Sequence, residues 1–239
     1  MSKNTILAYT NNPAMGLGNR VTLICAGYAA AKVSGSNFAV KWNRGRGCDA
    51  EWNDLFKPPT KFELVEHNIP TGSVMFNQPS FKSVDRHKEV AGDQLFSTKY
   101  WDAYKECAYS FQLIDELALP ICDNFIAVSI RANWSFRAPP SDWSDGLRLP
   151  ENAFLCSDSK AAFEVAKKVE PSLWSLSKPT VNEDMANRDC INIQAAARDM
   201  FMLTRASVIL GIGHESTFRN LAVIGYQVPI FKLSKDYTP

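Results

Sequence analysis

Four polar residues, His214, Glu215, Ser216 and Thr217, stand together where the apolar run SVILGIG gives way to the segment STFRNLAVIG. The run predicts a buried strand and the segment predicts a helix, so the four side chains lie where a helix begins. Ser216 or Thr217 would cap that helix, and its first backbone N–H groups would point into the corner. Hydroxyls beside such amides suit a phosphate group, because a helix N-terminus favours negative charge. The other interpretation is a cap that serves folding alone.

Two charged residues follow predicted strands in the same part of the chain. Arg131 comes at the end of the apolar strand NFIAVSIRA, where a guanidinium is costly to bury without an anionic partner. Such a group suits a phosphate, which it binds through two parallel hydrogen bonds, and it suits equally a structural salt bridge. Asp158 lies near the end of the segment AFLCSDS, where it contacts a ligand hydroxyl or caps the next helix. The cap is the favoured interpretation, since Ser157 and Ser159 are also good capping residues.

The loop AMGLGNR follows the first predicted strand, TILAYT. Gly16 and Gly18 would let the backbone approach a ligand, and the next helix would present its N-terminus. Asn19 and Arg20 add hydrogen-bond donors. The loop is neither a GxGxxG fingerprint nor a P-loop, so a tight turn without function is an equal alternative.

The elements that must position these loops alternate between strands and helices. TILAYT, the helix RVTLICAGYAAAKVSG ending at Gly35, and the strand NFAVKWN open the chain. KFELVEH and SVMFNQPS are weaker strand candidates, and residues 98–117 have helical periodicity. From residue 124 the alternation restarts and continues to the last strand, VPIFKL. This order predicts parallel α/β sheets. We expect two of them, joined near residues 118–123, with ligands bound beyond the carboxyl ends of the strands.

Composition narrows the function classes. The chain has 239 residues, 46% of them hydrophobic and 21% charged, as is usual for globular proteins. A net charge of +1 gives no broad basic face for nucleic acid. We expect a cytoplasmic protein without a transmembrane segment, because neither a signal peptide nor a run of about 18 apolar residues is found. The six cysteines form no CxxC pair, which argues against zinc, and Cys25 and Cys156 are expected to be core thiols.

Taken in order, these segments resemble the fucosyltransferase superfamily with a GT-B fold, which includes nodulation, α1,6- and protein O-fucosyltransferases. The stretch from GLGNRVTLICAGYAAAK to FAVKWNRGRGCDAEWNDLF resembles its glycine-rich loop, helix and second strand. VSIRANWS resembles the strand that ends in a His-hydrophobic-Arg motif, and FLCSDS the strand that ends in a Thr/Ser-Asp pair. RDMFMLTRASVILGIGHESTF resembles the Asp-led helix, strand and Ser-Ser-Phe turn. The resemblance implies two Rossmann-like parallel-sheet domains facing a cleft: residues 1–120 on the acceptor side and residues 121–239 on the donor side.

The resemblance also implies roles for individual residues. Arg131 would bind the β-phosphate of GDP-fucose, and Asp199 would contact the guanine. Ser129 stands where the family has its motif histidine, so one nucleotide contact is changed or lost. Ala132 stands where the α1,6 and α1,2 branches have a second basic residue, which argues against carrying over their linkage. The other residues expected to bind the donor or face both substrates are Gly16, Gly18, Asn19, Arg20, Asp158, His214, Glu215, Ser216, Thr217 and Phe218.

The implied reaction is inverting, metal-independent transfer of L-fucose from GDP-fucose to a glycan or other hydroxyl acceptor, with no cofactor beyond the donor. Such a reaction needs a stabilised leaving phosphate and often a base for the acceptor hydroxyl. Asp49 and Glu51 are favoured for the base, because they follow the second strand. Two alternatives stay open: a transferase using another nucleotide sugar such as UDP-xylose, and a non-catalytic nucleotide- or glycan-binding module. A cleft would close on binding, and tryptophans such as Trp42 and Trp52 would stack on sugars or lie in the core.

Overall fold

A computed structural model describes residues 5–10, 12–66, 73–76, 91–122, 124–131, 146–176, 189–213 and 216–232. Its strands form two four-stranded sheets. The first, in the order β3-β2-β1-β4, consists of β1 (Thr5–Tyr9), β2 (Asn37–Lys41), β3 (Glu63–Leu64) and β4 (Val74–Phe76). The second, in the order β6-β5-β7-β8, consists of β5 (Ile126–Arg131), β6 (Phe154–Ser157), β7 (Val208–Gly213) and β8 (Ile230–Lys232). Every neighbouring pair is parallel, which confirms the predicted α/β class.

In the described ranges, four α-helices connect the strands and cover the sheets: α1 (Leu17–Ser34), α2 (Thr98–Ser110), α3 (Lys160–Val169) and α4 (Cys190–Arg205). Helix α1 is buried along most of its length, because it packs against the first sheet and against α2. This explains why its sequence is apolar nearly all round. It ends as predicted, with Gly35 in the left-handed region at φ 68°.

The predicted helix over residues 98–117 is shorter in the structure and ends at Ser110. The backbone beyond it pairs with a distant segment: Lys57 N–H donates to the carbonyl of Gln112 at 2.9 Å, and Ile114 N–H donates to that of Leu55 at 3.1 Å. These long-range hydrogen bonds satisfy backbone groups that a longer helix would have used. Residues 115–117 then form a single 3₁₀ turn.

The predicted helix over residues 216–225 is also different. It consists of a 3₁₀ turn, Thr217–Arg219, and a π-helical turn, Leu221–Gly225. The π turn brings Gly225 against α2, where an added Cβ would lie 2.6 Å from the Cβ of Ala108. The π turn is therefore found where the segment Leu221–Gly225 packs closely against α2 in the first half of the chain.

One hydrophobic core includes residues from both halves of the chain. It contains residues of β1, α1 and α2 together with Ile193, Ala197, Met200, Phe201 and Leu221. The rings of Phe56 and Phe201 lie 6.2 Å apart, and those of Tyr109 and Tyr226 lie 4.7 Å apart. Helix α4 thus helps to complete the core beneath the first sheet as well as the second. Within the described part of the chain, no helix is long and apolar enough to cross a membrane.

Candidate functional site

The carboxyl ends of β5, β6 and β7 place several predicted site residues on one side of the second sheet. Arg131, the last residue of β5, is in register with Gly213, the last residue of β7. Ala127 and Ile209 pack in the core on the α4 side of this sheet. Because side chains alternate along a strand, Ser129 and Arg131 face the same side as Ala127. The structure thus brings Arg131 and the turn after β7 to one edge.

Arg131 forms an ion pair with Asp158, with Nη1 and Oδ2 2.6 Å apart. The two side chains are 24% and 31% exposed, so the pair is accessible from the edge of the sheet. Of the two interpretations left open for Arg131, the structure shows the salt bridge. Asp158 is not the cap of α3: Ser159 accepts a hydrogen bond from Ala162 N–H at 3.3 Å. The carboxylate instead fixes the guanidinium at the end of β5.

The turn after β7 begins at Ser216, whose hydroxyl accepts a hydrogen bond from Phe218 N–H at 3.3 Å, as a capping residue does. The hydroxyl of Thr217 hydrogen-bonds to the side-chain oxygen of Asn19 on α1. Gly18 also meets this turn, because an added Cβ would lie 2.6 Å from the backbone nitrogen of Phe218. Gly18 therefore allows close approach of protein backbone, and the glycine-rich loop faces the predicted donor corner. His214 and Glu215 lie outside the described residues.

Arg20 is buried in the protein, whereas the sequence predicts that it faces a ligand. Its side chain is fully buried, with Nε donating to the carbonyl of Met15 at 3.0 Å and Nη1 donating to Thr10 Oγ1 at 3.0 Å. Nη1 also hydrogen-bonds to the carbonyl of Asn43, and the guanidinium carbon lies 4.9 Å from the centre of the Trp42 ring. Burial lowers the pKa of Arg20. The residue ties together the loops that follow β1 and β2.

The two carboxylates favoured as the general base both pair with Arg44. Oδ1 of Asp49 lies 2.8 Å from Arg44 Nη2, and Oε1 of Glu51 lies 3.8 Å from Arg44 Nε. The hydrogen bond to Asp49 raises the pKa of Arg44. All three side chains are about half exposed. Asp49 and Glu51 are thus accessible, and the assignment of the base stays a prediction.

The loop after β2 contacts the start of α4, which belongs to the other half of the chain. Gln194 Nε2 donates to the backbone carbonyl of Asp54 at 3.1 Å. Partial burial, and then the charge of Asp54, raise the pKa of the Cys190 thiol. Because α4 precedes β7 and runs back along it, the start of α4 lies near the carboxyl edge of the second sheet. The loop after β2, which contains Asp49 and Glu51, therefore neighbours the carboxyl edge of the second sheet.

Asp199 and Arg219 are two deeply buried charged residues of the second half of the chain, at 3% and 4% exposure. Asp199 lies on α4, one turn before Met202 and Leu203, which pack in the core of the second sheet. The sequence analysis predicted Asp199 as a candidate site residue but did not identify Arg219. A signal was present, since Arg219 lies two residues before the apolar run LAVIG and Gly211 interrupts a strand, where glycine often marks close approach.

Trp42 and Trp52 belong to the core of the first half. Their indole nitrogens donate to the carbonyls of Ala50 at 2.9 Å and Lys57 at 3.0 Å, and their rings pack edge to face 5.5 Å apart. The six cysteines, all in the described ranges, form no disulfide. In those ranges no group of three or more His, Cys, Asp or Glu residues is placed to hold a metal ion.

Comparison with known proteins relates this architecture to solved enzymes. No protein-family model and no curated protein sequence matches the chain. Fucosyltransferase NodZ from Bradyrhizobium aligns over 98% of this chain and 96% of its own, with a TM-score of 0.63 and 12% identity. NodZ α1,6-fucosyltransferase soaked with GDP-fucose gives a TM-score of 0.62 at 12% identity, with the same coverage. A variant of Arabidopsis thaliana FUT1 in complex with GDP covers 100% of this chain and 71% of its own, with a TM-score of 0.61 and 12% identity. The chain has the two-sheet α/β fold of these fucosyltransferases, as the sequence resemblance predicted.

Proposed function

We propose that the chain is a glycosyltransferase that takes L-fucose from GDP-fucose and passes it to a glycan or another hydroxyl acceptor. The supporting observation is the register of Arg131 with Gly213, which sets a guanidinium and the Ser216–Thr217 turn at one edge of the second sheet. The solved structures with this fold include complexes with GDP and a GDP-fucose soak. Their donor is the best candidate for this chain.

The proposed mechanism follows from where charge develops. When the bond between the sugar and the diphosphate breaks, negative charge grows on the phosphate oxygens. Arg131, held by Asp158 at 2.6 Å, would stabilise that charge without reorganising, together with the N–H groups at the start of α1. No step in this scheme requires a metal ion.

The acceptor hydroxyl would approach from the first half of the chain. Asp49 or Glu51 would accept its proton, with Arg44 orienting the carboxylate through the contacts already described. Attack on the face opposite the diphosphate would invert the anomeric carbon. Asn19 would lie between the two substrates, since it contacts the turn that begins at Ser216.

A donor screen by thermal shift tests this proposal. The thermal shift is measured separately with GDP, UDP, GDP-fucose and UDP-xylose. The two sugar nucleotides are then incubated with candidate glycan acceptors, and the release of GDP or UDP is measured. A ligand at about 100 times its Kd stabilises by about 2.7 kcal/mol, and we expect GDP and GDP-fucose to do so. Preference for UDP would indicate another donor, and binding without turnover would indicate a non-catalytic module. No shift with any of the four would contradict the proposal.

A further inference from the structure

The loop after β2 begins with a tight hairpin. Gly45 N–H donates to the carbonyl of Cys48 at 3.1 Å, and Cys48 N–H donates to that of Gly45 at 2.8 Å. Arg46 and Gly47 therefore form a two-residue turn between the paired positions. Arg46 thus stands at the tip of a structure that backbone hydrogen bonds define.

The hairpin is held against the loop that follows β1. Gly47 N–H donates to the carbonyl of Pro13 at 2.7 Å. An added Cβ would lie 2.9 Å from Pro13 Cα at Gly45, and 2.5 Å from the carbonyl of Ala14 at Gly47. The two glycines therefore let one loop pack directly on the backbone of the other. Because β1 and β2 are parallel neighbours, this contact fixes the turn at the carboxyl end of the first sheet.

Arg44 and Arg46 differ in their surroundings, although they are two positions apart. Arg44 pairs with Asp49 at 2.8 Å across the base of the hairpin, and with Glu51 at 3.8 Å. Arg46 is exposed, and within the described ranges its guanidinium has no hydrogen-bond or ion-pair partner. The described carboxylates thus neutralise the first arginine and leave the five donors of the second open to a ligand.

Lys41, the last residue of β2, is a second cation at the same end of the sheet. It is in register with Tyr9, the last residue of β1, and its Nζ lies 5.6 Å from the centre of the Tyr9 ring. In the described part of the chain Lys41 has no carboxylate partner. Lys41 and Arg46 therefore give a positive character to the end of the first sheet, where the acceptor is expected to bind.

The loop that carries the hairpin also reaches the second half of the chain. The backbone carbonyl of Asp54, eight positions after Arg46, accepts a hydrogen bond from Gln194 of α4 at 3.1 Å. A molecule bound along this loop would therefore lie beside the donor half, with one end at the hairpin.

We infer that Arg46 is a specificity-determining residue for the acceptor, and that the acceptor is an acidic glycan whose carboxylate or sulfate group Arg46 binds. A guanidinium can bind a carboxylate through two parallel hydrogen bonds. The rigid turn lowers the cost of that contact, because little backbone freedom is lost on binding. The inference rests on the proposed function, since it takes the bound glycan to be the acceptor of the transfer.

The experiment compares the wild type, R46Q, R46K and R148Q on a glycan array. The array carries glycans with uronic acid, sialic acid or sulfate, each beside a neutral counterpart that lacks the acidic group. The affinities for the best acidic glycan and for its neutral counterpart are then measured by calorimetry in the presence of GDP.

We expect the wild type to bind the acidic glycan about tenfold more tightly than its counterpart, and R46Q to lose most of that difference while binding the neutral glycan as before. R46K should keep part of the preference, because lysine retains the charge but not the paired donors. R148Q, at an exposed arginine of the second half, should keep all of it.

Kinetics gives a second measurement with the same variants. With the acidic glycan as acceptor, R46Q should raise KM and leave kcat within about twofold, because Arg46 contacts a group away from the reacting hydroxyl. The inference is overturned if the wild type binds no acidic glycan or binds both kinds alike, if R46Q keeps the preference, or if R148Q loses as much of it. A wild type that binds GDP without an acidic preference rejects this inference alone. One that binds no GDP rejects the proposed function, and with it the role of Arg46 in an acceptor site.

Discussion

Arg131 and Asp158 form the central pair of the candidate site. An arginine at the end of an apolar strand needs an anionic partner, and Asp158 supplies one at 2.6 Å. The carboxylate does not rule out a ligand, since the guanidinium has five donors and remains 24% exposed. The salt bridge therefore fixes the position of the guanidinium at the end of β5, where the proposed diphosphate would contact it.

Replacing Arg131 by alanine should lower the rate of sugar transfer about 10²–10³-fold, because one preorganised charge contact to the leaving diphosphate is lost. The rate is measured as GDP release in the presence of acceptor, at donor concentrations above and below KM. The exposed Arg148→Ala serves as the matched control and should leave the rate unchanged. Turnover close to normal in R131A would show that Arg131 has only a structural role.

At the scale of elements, the start of α1 and the turn after β7 are in direct contact, with close backbone approach at Gly18. Gly18 faces the backbone of Phe218, and Asn19 hydrogen-bonds to Thr217, which is 198 positions away in the chain. The glycine-rich loop predicted to approach a ligand thus also approaches protein. This contact fixes the distance between the residues of the two halves that would bind the donor.

Gly18→Ala tests this contact, because an open and a filled space at Gly18 predict changes of opposite sign in the free energy of unfolding. Alanine is favoured over glycine in a helix by up to about 1 kcal/mol, so the variant would be slightly more stable if the space were open. The Cβ would instead lie 2.6 Å from the backbone of Phe218, and we expect a loss of about 1–3 kcal/mol in the free energy of unfolding. Ser34→Ala, at the exposed far end of α1, is the control. Stabilisation by G18A in denaturant unfolding would mean that the two elements are not in contact.

At the scale of the whole molecule, the two halves of the chain share an apolar core. Ala197, Met200 and Phe201 of α4 and Leu221 of the π turn pack with residues of α1 and α2. Large apolar interfaces hold domains in one relative position, whereas small polar ones permit motion. The shared core therefore favours a candidate site that is already formed in the free protein. A site assembled by a wide closure of the two halves is less favoured.

A shared core should make the chain unfold in one cooperative transition. We expect far-UV circular dichroism and tryptophan fluorescence to give the same urea midpoint, although Trp42 and Trp52 lie in the first half and Trp174 in the second. Phe201→Ala should shift both signals together and cost about 3–5 kcal/mol, because its ring packs near Phe56 across the two halves. Two separate midpoints, or a change confined to one signal in F201A, would indicate independent domains.

Much of the fold and part of the site could be predicted because they depend on neighbours in sequence. The alternation of apolar strands and helices predicted the parallel sheets, Gly35 marked the end of α1, and Ser216 was one of two predicted caps. Arg131 at the end of its strand was also predictable, since a strand's end follows from its apolar run. In each of these cases the deciding interactions are local.

The tertiary structure decided what depends on residues far apart in the chain. Sequence alone could not show that Arg20 is buried among Thr10, Met15 and Asn43, nor that Arg219 lies on Gly211. The early end of α2 likewise depends on pairing between residues 55–57 and 112–114. Local patterns specify which backbone conformation is favoured, whereas the partner of a buried charge or an unused backbone group is fixed only when the elements pack together.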